Sequence, residues 1–87
     1  MMFHGCRDLQ MTGCQIIDAL HAGIEIKDCE RGMVTGNSIV DRRDPVQMVN
    51  AIRLAGTNRD LMIQHNLLRG TSGANIVGPR AGAFVRN

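Results

Sequence analysis

The side chains best suited to chemistry stand in one short charged run, DRRD, at positions 41–44. Paired carboxylates can act as general acid and base in glycoside hydrolysis, and an arginine beside a uronate can assist β-elimination. The run therefore supplies Asp41, Arg43 and Asp44 as catalytic candidates and Arg42 as a candidate ligand-binding residue. Charges that alternate in sign around a turn are also typical of a solvated loop with no chemical role.

Cysteine and histidine do not indicate a metal centre. The three cysteines are an odd number, so they imply no closed disulfide framework, and their spacing fits no zinc motif. The three histidines share no ligand spacing either, and His65 is expected to cap a turn. We predict reduced thiols that pack as small hydrophobic groups at Cys6, Cys14 and Cys29, with no metal or other cofactor.

Length and composition limit the fold and the partners. With 87 residues, positions 1–87 form one domain at most, and the only aromatic residues are Phe3 and Phe84. Any core must therefore consist of Ile, Leu, Val, Met and Ala. The net charge of +2 is too small and too dispersed for a nucleic-acid-binding protein. No phosphate loop, nucleophile elbow or metalloprotease helix is present in the sequence.

The N-terminal segment does not have the pattern of a targeting sequence. It lacks the basic start and the unbroken apolar run of a signal peptide. No stretch approaches the length of a membrane-spanning segment. We expect the chain as given to be soluble and to have no membrane partner, and its localisation stays open because a longer parent protein could be secreted.

Three similar phrases place the charged residues in a repeating framework: CRDLQMTGCQIID, CERGMVTGNSIVD and NRDLMIQHNLLRG. The repeat length is 23 residues and then 29, because the second copy carries additional residues in its turns. Insertions confined to turns are typical of solenoid proteins. Superposition gives two columns of cysteine and asparagine, Cys6/Cys29/Asn58 and Cys14/Asn37/Asn66, and two apolar columns, Met11/Val34/Ile63 and Ile16/Ile39/Leu68.

Apolar and polar residues alternate within each copy, and a period of two indicates β-strands. The short turns between strands resemble hairpin turns, but each strand is most like its counterpart in the next copy, which favours parallel stacking in register. The predicted strands are 9–12, 15–17 and 22–27, then 33–35, 38–40 and 50–54, and finally 61–64, 67–69 and 74–77.

An α-helix over residues 15–26 is an alternative, because QIIDALHAGIEI can be written as an amphipathic pattern. Gly23 and the β-branched Ile24 and Ile26 disfavour that helix, and the repeat columns favour strands. The prediction is an all-β parallel solenoid of about three coils, each with three short strands. The coils cover approximately 6–28, 29–57 and 58–79, with the start of a further coil at 80–87.

The register of the last residues has two solutions. In the first, Ala83, Phe84 and Val85 align with Gly32, Met33 and Val34. In the second, a longer loop places 82–85 opposite 23–26. Both solutions leave the stack of coils without evident end caps.

The segments GIEIKDCERGMVTGNSIVD and NAIRLAGTNRDLMIQHNLLRG resemble coils of right-handed parallel β-helices, the pectate-lyase-like superfamily, over about residues 6–77. The resemblance implies a ladder of stacked asparagines in the turn after the second strand of each coil. Asn37 and Asn66 occupy that position, and Cys14 replaces the third member. An asparagine there can adopt a left-handed backbone and pass amide hydrogen bonds between coils, so we expect the ladder to fail or bend at Cys14.

Enzymes of that superfamily bind polysaccharides on outward strand faces and the adjacent loops. The resemblance therefore implies that Glu25, Arg42 and Arg53 contact an acidic or neutral glycan. Glu25 and Arg53 also share a column, so an opposite-charge pair between strands is the simpler interpretation. The first functional hypothesis is a carbohydrate-active or carbohydrate-binding β-helix module, and lyase or hydrolase activity stays open.

The second hypothesis is a structural or assembly module without catalysis. Coils without evident caps expose unpaired backbone and apolar side chains at both ends of the stack. Either a longer β-helix or other copies of the chain would cover these ends. Self-association would give closed dimers or trimers by lateral packing, or open filaments by head-to-tail stacking.

Overall fold

The computed structural model describes residues 1–86, which form short β-strands joined by turns and contain no helix. The first two rounds of the chain comprise β1 (Met2–His4), β2 (Gln10–Thr12), β3 (Gln15–Ile17), β4 (His21–Lys27), β5 (Glu30–Thr35) and β6 (Ser38–Val40). The remainder comprises β7 (Met48–Ala55), β8 (Arg59–Gln64), β9 (Leu67–Arg69), β10 (Ile76–Val77) and β11 (Ala83–Arg86).

The strands form three parallel sheets. Sheet A has the order β1-β4-β7-β10, sheet B has β2-β5-β8-β11, and sheet C has β3-β6-β9. Each round of the chain contributes one strand to each sheet in turn, so the molecule is a parallel β-solenoid of about four turns. This confirms the predicted all-β solenoid and the parallel stacking.

The predicted count, about three coils with the start of a further one at 80–87, is slightly lower than the observed four or so turns. The strand that was not predicted is β1, where Met2, Phe3 and His4 pair with Glu25, Ile26 and Lys27 of β4. Phe3 points inward against the core, and its neighbours are exposed. No repeat phrase covers this strand, so the sequence columns do not predict it. Asn87, the last residue of the predicted further coil, lies outside the described residues.

The strand register follows the sequence columns. Met11, Val34 and Ile63 are successive partners in sheet B, and a second such column runs through sheet C with Ile39 at its centre. In the last turn Ala83 and Val85 pair with Leu61 and Ile63. The first of the two predicted solutions for the C-terminal register is therefore confirmed, and the alternative opposite 23–26 is excluded.

The core is a thin column of aliphatic side chains along the stack axis. Its centre lies in the two middle turns, where Ile24, Ile39, Ile52 and Ile63 are completely buried. Burial of each of these side chains contributes about 1.5–3 kcal/mol. The members of the same columns in the outer turns, among them Phe3, Ile16, Leu68 and Val85, are only partly buried, because one side has no neighbouring turn.

The corners of the solenoid depend on left-handed backbone. In the turns after β2, β5 and β8, the residues with positive φ are Gly13, Gly36 and His65, at 67°, 69° and 55°. Each of them precedes the ladder position. The left-handed backbone that an asparagine could adopt at the ladder position therefore belongs to the residue before it and not to Asn37 or Asn66.

The predicted insertions fall outside the paired strands or at a bulge. Residues 41–47 form the loop between β6 and β7, and a β-bulge at His21/Ala22 absorbs one residue of β7. Gly56 lies in the turn before β8 and has a φ of 64°. The stack therefore keeps its register despite copies of unequal length.

Candidate functional site

Asp41 organises the loop that precedes β7. Its carboxylate side chain is completely buried, and its Oδ1 accepts hydrogen bonds from the backbone N–H and the Nε–H of Arg43, at 3.0 and 2.9 Å. Its Oδ2 accepts from Arg43 Nη2 at 3.1 Å and from the backbone N–H groups of Gln47 and Met48 at 2.7 and 2.8 Å. No oxygen of Asp41 is left open to a substrate.

The electrostatics of Asp41 agree with this geometry. The hydrogen bonds from the Arg43 side chain, supported by the backbone N–H groups, hold the pKa of the carboxyl well below its usual range, despite its burial. Hydrogen bonds to the charged form have this effect because protonation would remove acceptors. Asp41 therefore stays ionised and unsuited to general acid catalysis.

The other candidates of the charged run have separate surroundings. Arg43 also donates through Nη2 to the carbonyl of Ala19 at 2.6 Å, which ties the loop to the preceding turn. Arg42 donates its backbone N–H to Asp18 at 2.8 Å, and its side chain lies 3.5 Å from the same carboxylate. Asp44 is exposed. The loop thus brings Asp41 and Arg43 together as a structural unit rather than as an acid–base pair.

The other two candidates, Glu25 and Arg53, lie in sheet A and line a groove with a volume of about 240 Å³. The two residues are direct partners in the parallel register. The polar lining also includes His21, which has a φ of 67° and stands at the bulge. The apolar lining comes from Met1, Met2 and Leu20.

The expected ion pair between Glu25 and Arg53 does not form. Glu25 Oε2 lies 3.1 Å from His4 Nε2, and Arg53 Nη2 donates to Asn50 Oδ1 at 3.2 Å. Asn50 is in turn fixed by its own hydrogen bond to the carbonyl of Ala74 at 2.7 Å. Within the described residues, Glu25 Oε1 and the Nε and Nη1 atoms of Arg53 make no hydrogen bond, so an acceptor and donors remain open beside the groove.

The ladder position contains a continuous run of hydrogen bonds. Asn37 donates its backbone N–H to Asn66 Oδ1 at 3.0 Å, and its Nδ2 donates to the carbonyl of Met11 at 3.0 Å. Asn66 Nδ2 donates to the carbonyl of Val34 at 3.0 Å. The Cys14 thiol takes no part in this run and lies 3.6 Å from the carbonyl of Thr12.

A third asparagine of this kind was not predicted from the sequence. The buried Asn58 accepts a hydrogen bond from the backbone N–H of Cys29 at 2.9 Å, and its Nδ2 donates to the carbonyl of Ala55 at 3.2 Å. Its place in the column Cys6/Cys29/Asn58 was visible in the sequence. The signal that could have identified Asn58 is its alignment with Cys6 and Cys29, since an asparagine at a corner where the other copies have a small cysteine side chain indicates a hydrogen-bonding role.

The three cysteines are free thiols, with Cys29 buried and Cys14 exposed. Partial burial, followed by the neighbouring Cys29, raises the pKa of the Cys6 thiol. Residues 1–86 contain no group of three or more His, Cys, Asp or Glu side chains that could hold a metal ion. The same part of the chain includes no helix with the length and apolar character to span a membrane.

Comparison with protein-family models, with curated proteins and with solved structures gave no match to this chain.

Proposed function

We propose that the chain is a β-solenoid module that binds a glycan in the groove of sheet A. The observation that carries this proposal is the pair of open polar groups, Glu25 Oε1 and the Nε and Nη1 atoms of Arg53, beside the same concave surface. A carboxylate accepts hydrogen bonds from sugar hydroxyls, and a guanidinium donates to hydroxyls or to a uronate carboxylate. Adjacent acceptor and donor groups suit the hydroxyl pairs of a sugar ring.

The rest of the groove supports the same occupant. Its apolar lining from Met1, Met2 and Leu20 offers a surface for the C–H face of a sugar. Its volume of about 240 Å³ is below the usual range of drug-sized pockets, which begins at about 300 Å³, so the groove itself suits about one sugar unit. A longer chain would extend over the outer face of sheet A.

The proposal is binding without turnover. A hydrolase of the usual kind needs two available carboxyl groups, and both oxygens of Asp41 are occupied by the loop. We also propose that the chain is related to the right-handed β-helices of the pectate-lyase-like superfamily. The three strands in each full turn and the stacked Asn37 and Asn66 support this relationship.

A glycan array containing neutral and uronate oligosaccharides tests this proposal. We expect binding by the wild-type chain and a loss of about tenfold or more in affinity for Arg53→Ala, because a charged hydrogen-bond donor is removed. Glu25→Gln removes the charge of the acceptor and keeps its shape. Arg69→Ala, on the exposed side of sheet C, is the matched control and should bind as the wild type does. The absence of any binding would contradict the proposal.

A second candidate function is assembly through the outer strands, and the partial exposure of the outer core members favours it. Parallel sheets are normally covered on both faces, and an unpaired strand edge is a template for another strand. Phe3 and Ile16 at one end, and Leu68 and Val85 at the other, are packed on one side only. Stacking of copies would then give a mass that increases with concentration beyond a dimer. A constant mass of 9.5 kDa in sedimentation would exclude it.

A further inference from the structure

An apolar stripe crosses the outer face of sheet B. Met33, Met62 and Phe84 are successive partners in the parallel register, and their exposed fractions are 41%, 37% and 52%. Neighbouring strands lie about 4.8 Å apart, so the three side chains form a continuous surface. The core does not require them, because Val34, Ile63 and Val85 fill the inward positions of the same strands. The fold therefore gives no reason for this stripe.

Charges that alternate from turn to turn flank the stripe on one side. The outward column that contains the stripe begins with Gln10 of β2, and two residues before its four members stand Asp8, Arg31, Asp60 and Gly82 in turn. Arg31 Nε lies 2.7 Å from Asp8 Oδ1, and Arg31 Nη1 lies 3.1 Å from Glu30 Oε1. The adjacent column has the opposite order, Arg7, Glu30 and Arg59. The side chains of Asp8 and Arg31 are 70% and 52% exposed, so this flank is open to a partner.

We propose that the outer face of sheet B is the interface with a second copy of this chain. The two copies are related by a two-fold axis that runs parallel to the strands and passes midway between β5 and β8. With this axis the strands of the two copies run in the same direction, and their stacks of turns run in opposite directions. Met33 of one copy then meets Met62 of the other, and the charged flanks of the two copies lie against each other.

The charge order and the stripe together select this arrangement among the symmetric ones. The axis between β5 and β8 sets Arg31 against Asp60 of the second copy, and sets Glu30 against Arg59. An axis centred on β5 would instead set Asp8 against Asp60 of the second copy, which places like charges together. An axis parallel to the stack would place the charged flank against the opposite edge of sheet B, where Thr12 and Thr35 are uncharged. An axis between β2 and β5 would also join opposite charges, but it would set Met33 against Gln10 of the second copy. Only the axis between β5 and β8 joins opposite charges and also places Met33 against Met62.

The resulting dimer is closed and isologous. A standard interface buries about 800 Å² per partner, roughly one sixth of the 4958 Å² surface of this chain. The stripe provides the apolar centre and the charges provide the rim, as in other specific interfaces. We expect a reversible dimer in the micromolar range rather than a permanent one.

Sedimentation velocity over a concentration series tests the proposal. The wild-type mass should approach twice 9.5 kDa, and Met62→Lys should remain monomeric with an unchanged far-ultraviolet dichroism spectrum. Leu67→Lys places the same change at a 49% exposed residue of sheet C and should dimerise as the wild type does. A wild-type monomer at all concentrations, or equal behaviour of the two variants, overturns the proposal.

A mixing experiment tests the pairing of Arg31 with Asp60. Alone, Arg31→Asp should not dimerise, because it sets two carboxylates together, and Asp60→Arg should not dimerise, because it sets two guanidinium groups together. An equimolar mixture should form a heterodimer, since each contact then joins opposite charges. A mixture that stays monomeric overturns the proposed axis. If the mass of the wild-type chain grew beyond that of a dimer, and Met62→Lys did not change this growth, the dimer proposal would be overturned in favour of end-to-end stacking. Arg53→Ala, in sheet A, should leave the dimer intact.

Discussion

The backbone N–H of Cys14 donates a hydrogen bond to Oδ1 of Asn37, one turn along the stack, at 3.0 Å. The asparagine ladder therefore continues to the first turn without an asparagine there, because the acceptor belongs to the second turn and the donor is main chain. This corner needs side-chain acceptors where the strands end, since buried backbone N–H groups must be satisfied. The ladder was expected to fail or bend at Cys14. The Cys14 thiol indeed makes no ladder hydrogen bond, but the Cys14 backbone N–H does.

Asn37→Ala should lower the free energy of unfolding by about 1–3 kcal/mol, because it leaves the N–H of Cys14 and the carbonyl of Met11 without their partner. Urea denaturation measures the change. Gln10→Ala, at an exposed position of β2, is the control and should stay within about 0.5 kcal/mol of the wild type. Equal midpoints for the two variants would show that the ladder contributes nothing.

Gly70→Ala should be more destabilising than Gly13→Ala, although both glycines have a positive φ, 78° and 67°. A Cβ at Gly13 meets no atom within 4 Å, so that variant should lose only about 1–2 kcal/mol for the left-handed backbone. A Cβ at Gly70 would collide with the backbone of Asp41, including its carbonyl carbon at 2.9 Å. The loop must then shift, and we expect a further loss of about 1–3 kcal/mol in urea denaturation. Identical losses would contradict the tight packing of this loop.

Asp41 should make the folded state sensitive to acid. Its pKa is lowered on folding, so its contribution is complete above the unfolded pKa of about 4 and is lost as pH falls further towards the folded value. Thermal melts should therefore show a midpoint that falls below about pH 4 in the wild type. In Asp41→Asn the midpoint should be several degrees lower at pH 7, and this acid dependence should be reduced.

Asp44→Asn is the matched control for that experiment, because Asp44 is exposed in the same loop. Its melting midpoint should equal that of the wild type both at pH 7 and below about pH 4. If Asp41→Asn and Asp44→Asn behaved alike, the loop would not depend on the buried carboxylate.

The parallel stack was predictable because similar residues recur at the same position of each turn, and stacking in register is the arrangement that gives such columns a physical cause. The register of Ala83 with Leu61 followed from the same periodicity. β1 was not predictable in this way, since no repeat phrase covers Phe3 and its neighbours Met2 and His4. Its strand forms because β4 offers Ile26 and an unpaired edge.

The candidate site was predictable in its residues but not in their contacts. The column of Glu25 and Arg53 followed from the repeat, whereas their partners His4 and Asn50 depend on side-chain conformations. The burial of Asp41 could not be read from the sequence either. It follows from the fold of the loop, which brings the N–H groups of residues 43, 47 and 48 around one carboxylate.

The central claim, that the groove of sheet A binds a glycan, is tested most directly by two-dimensional NMR of the ¹⁵N-labelled chain. The titrants are a uronate tetrasaccharide and a neutral β-glucan tetrasaccharide. We predict saturable shifts of the backbone amides at His21, Glu25 and Arg53 with at least one of them, and their loss in Arg53→Ala. An absence of saturable shifts with both sugars, or shifts centred on Met62 of sheet B, would contradict the claim.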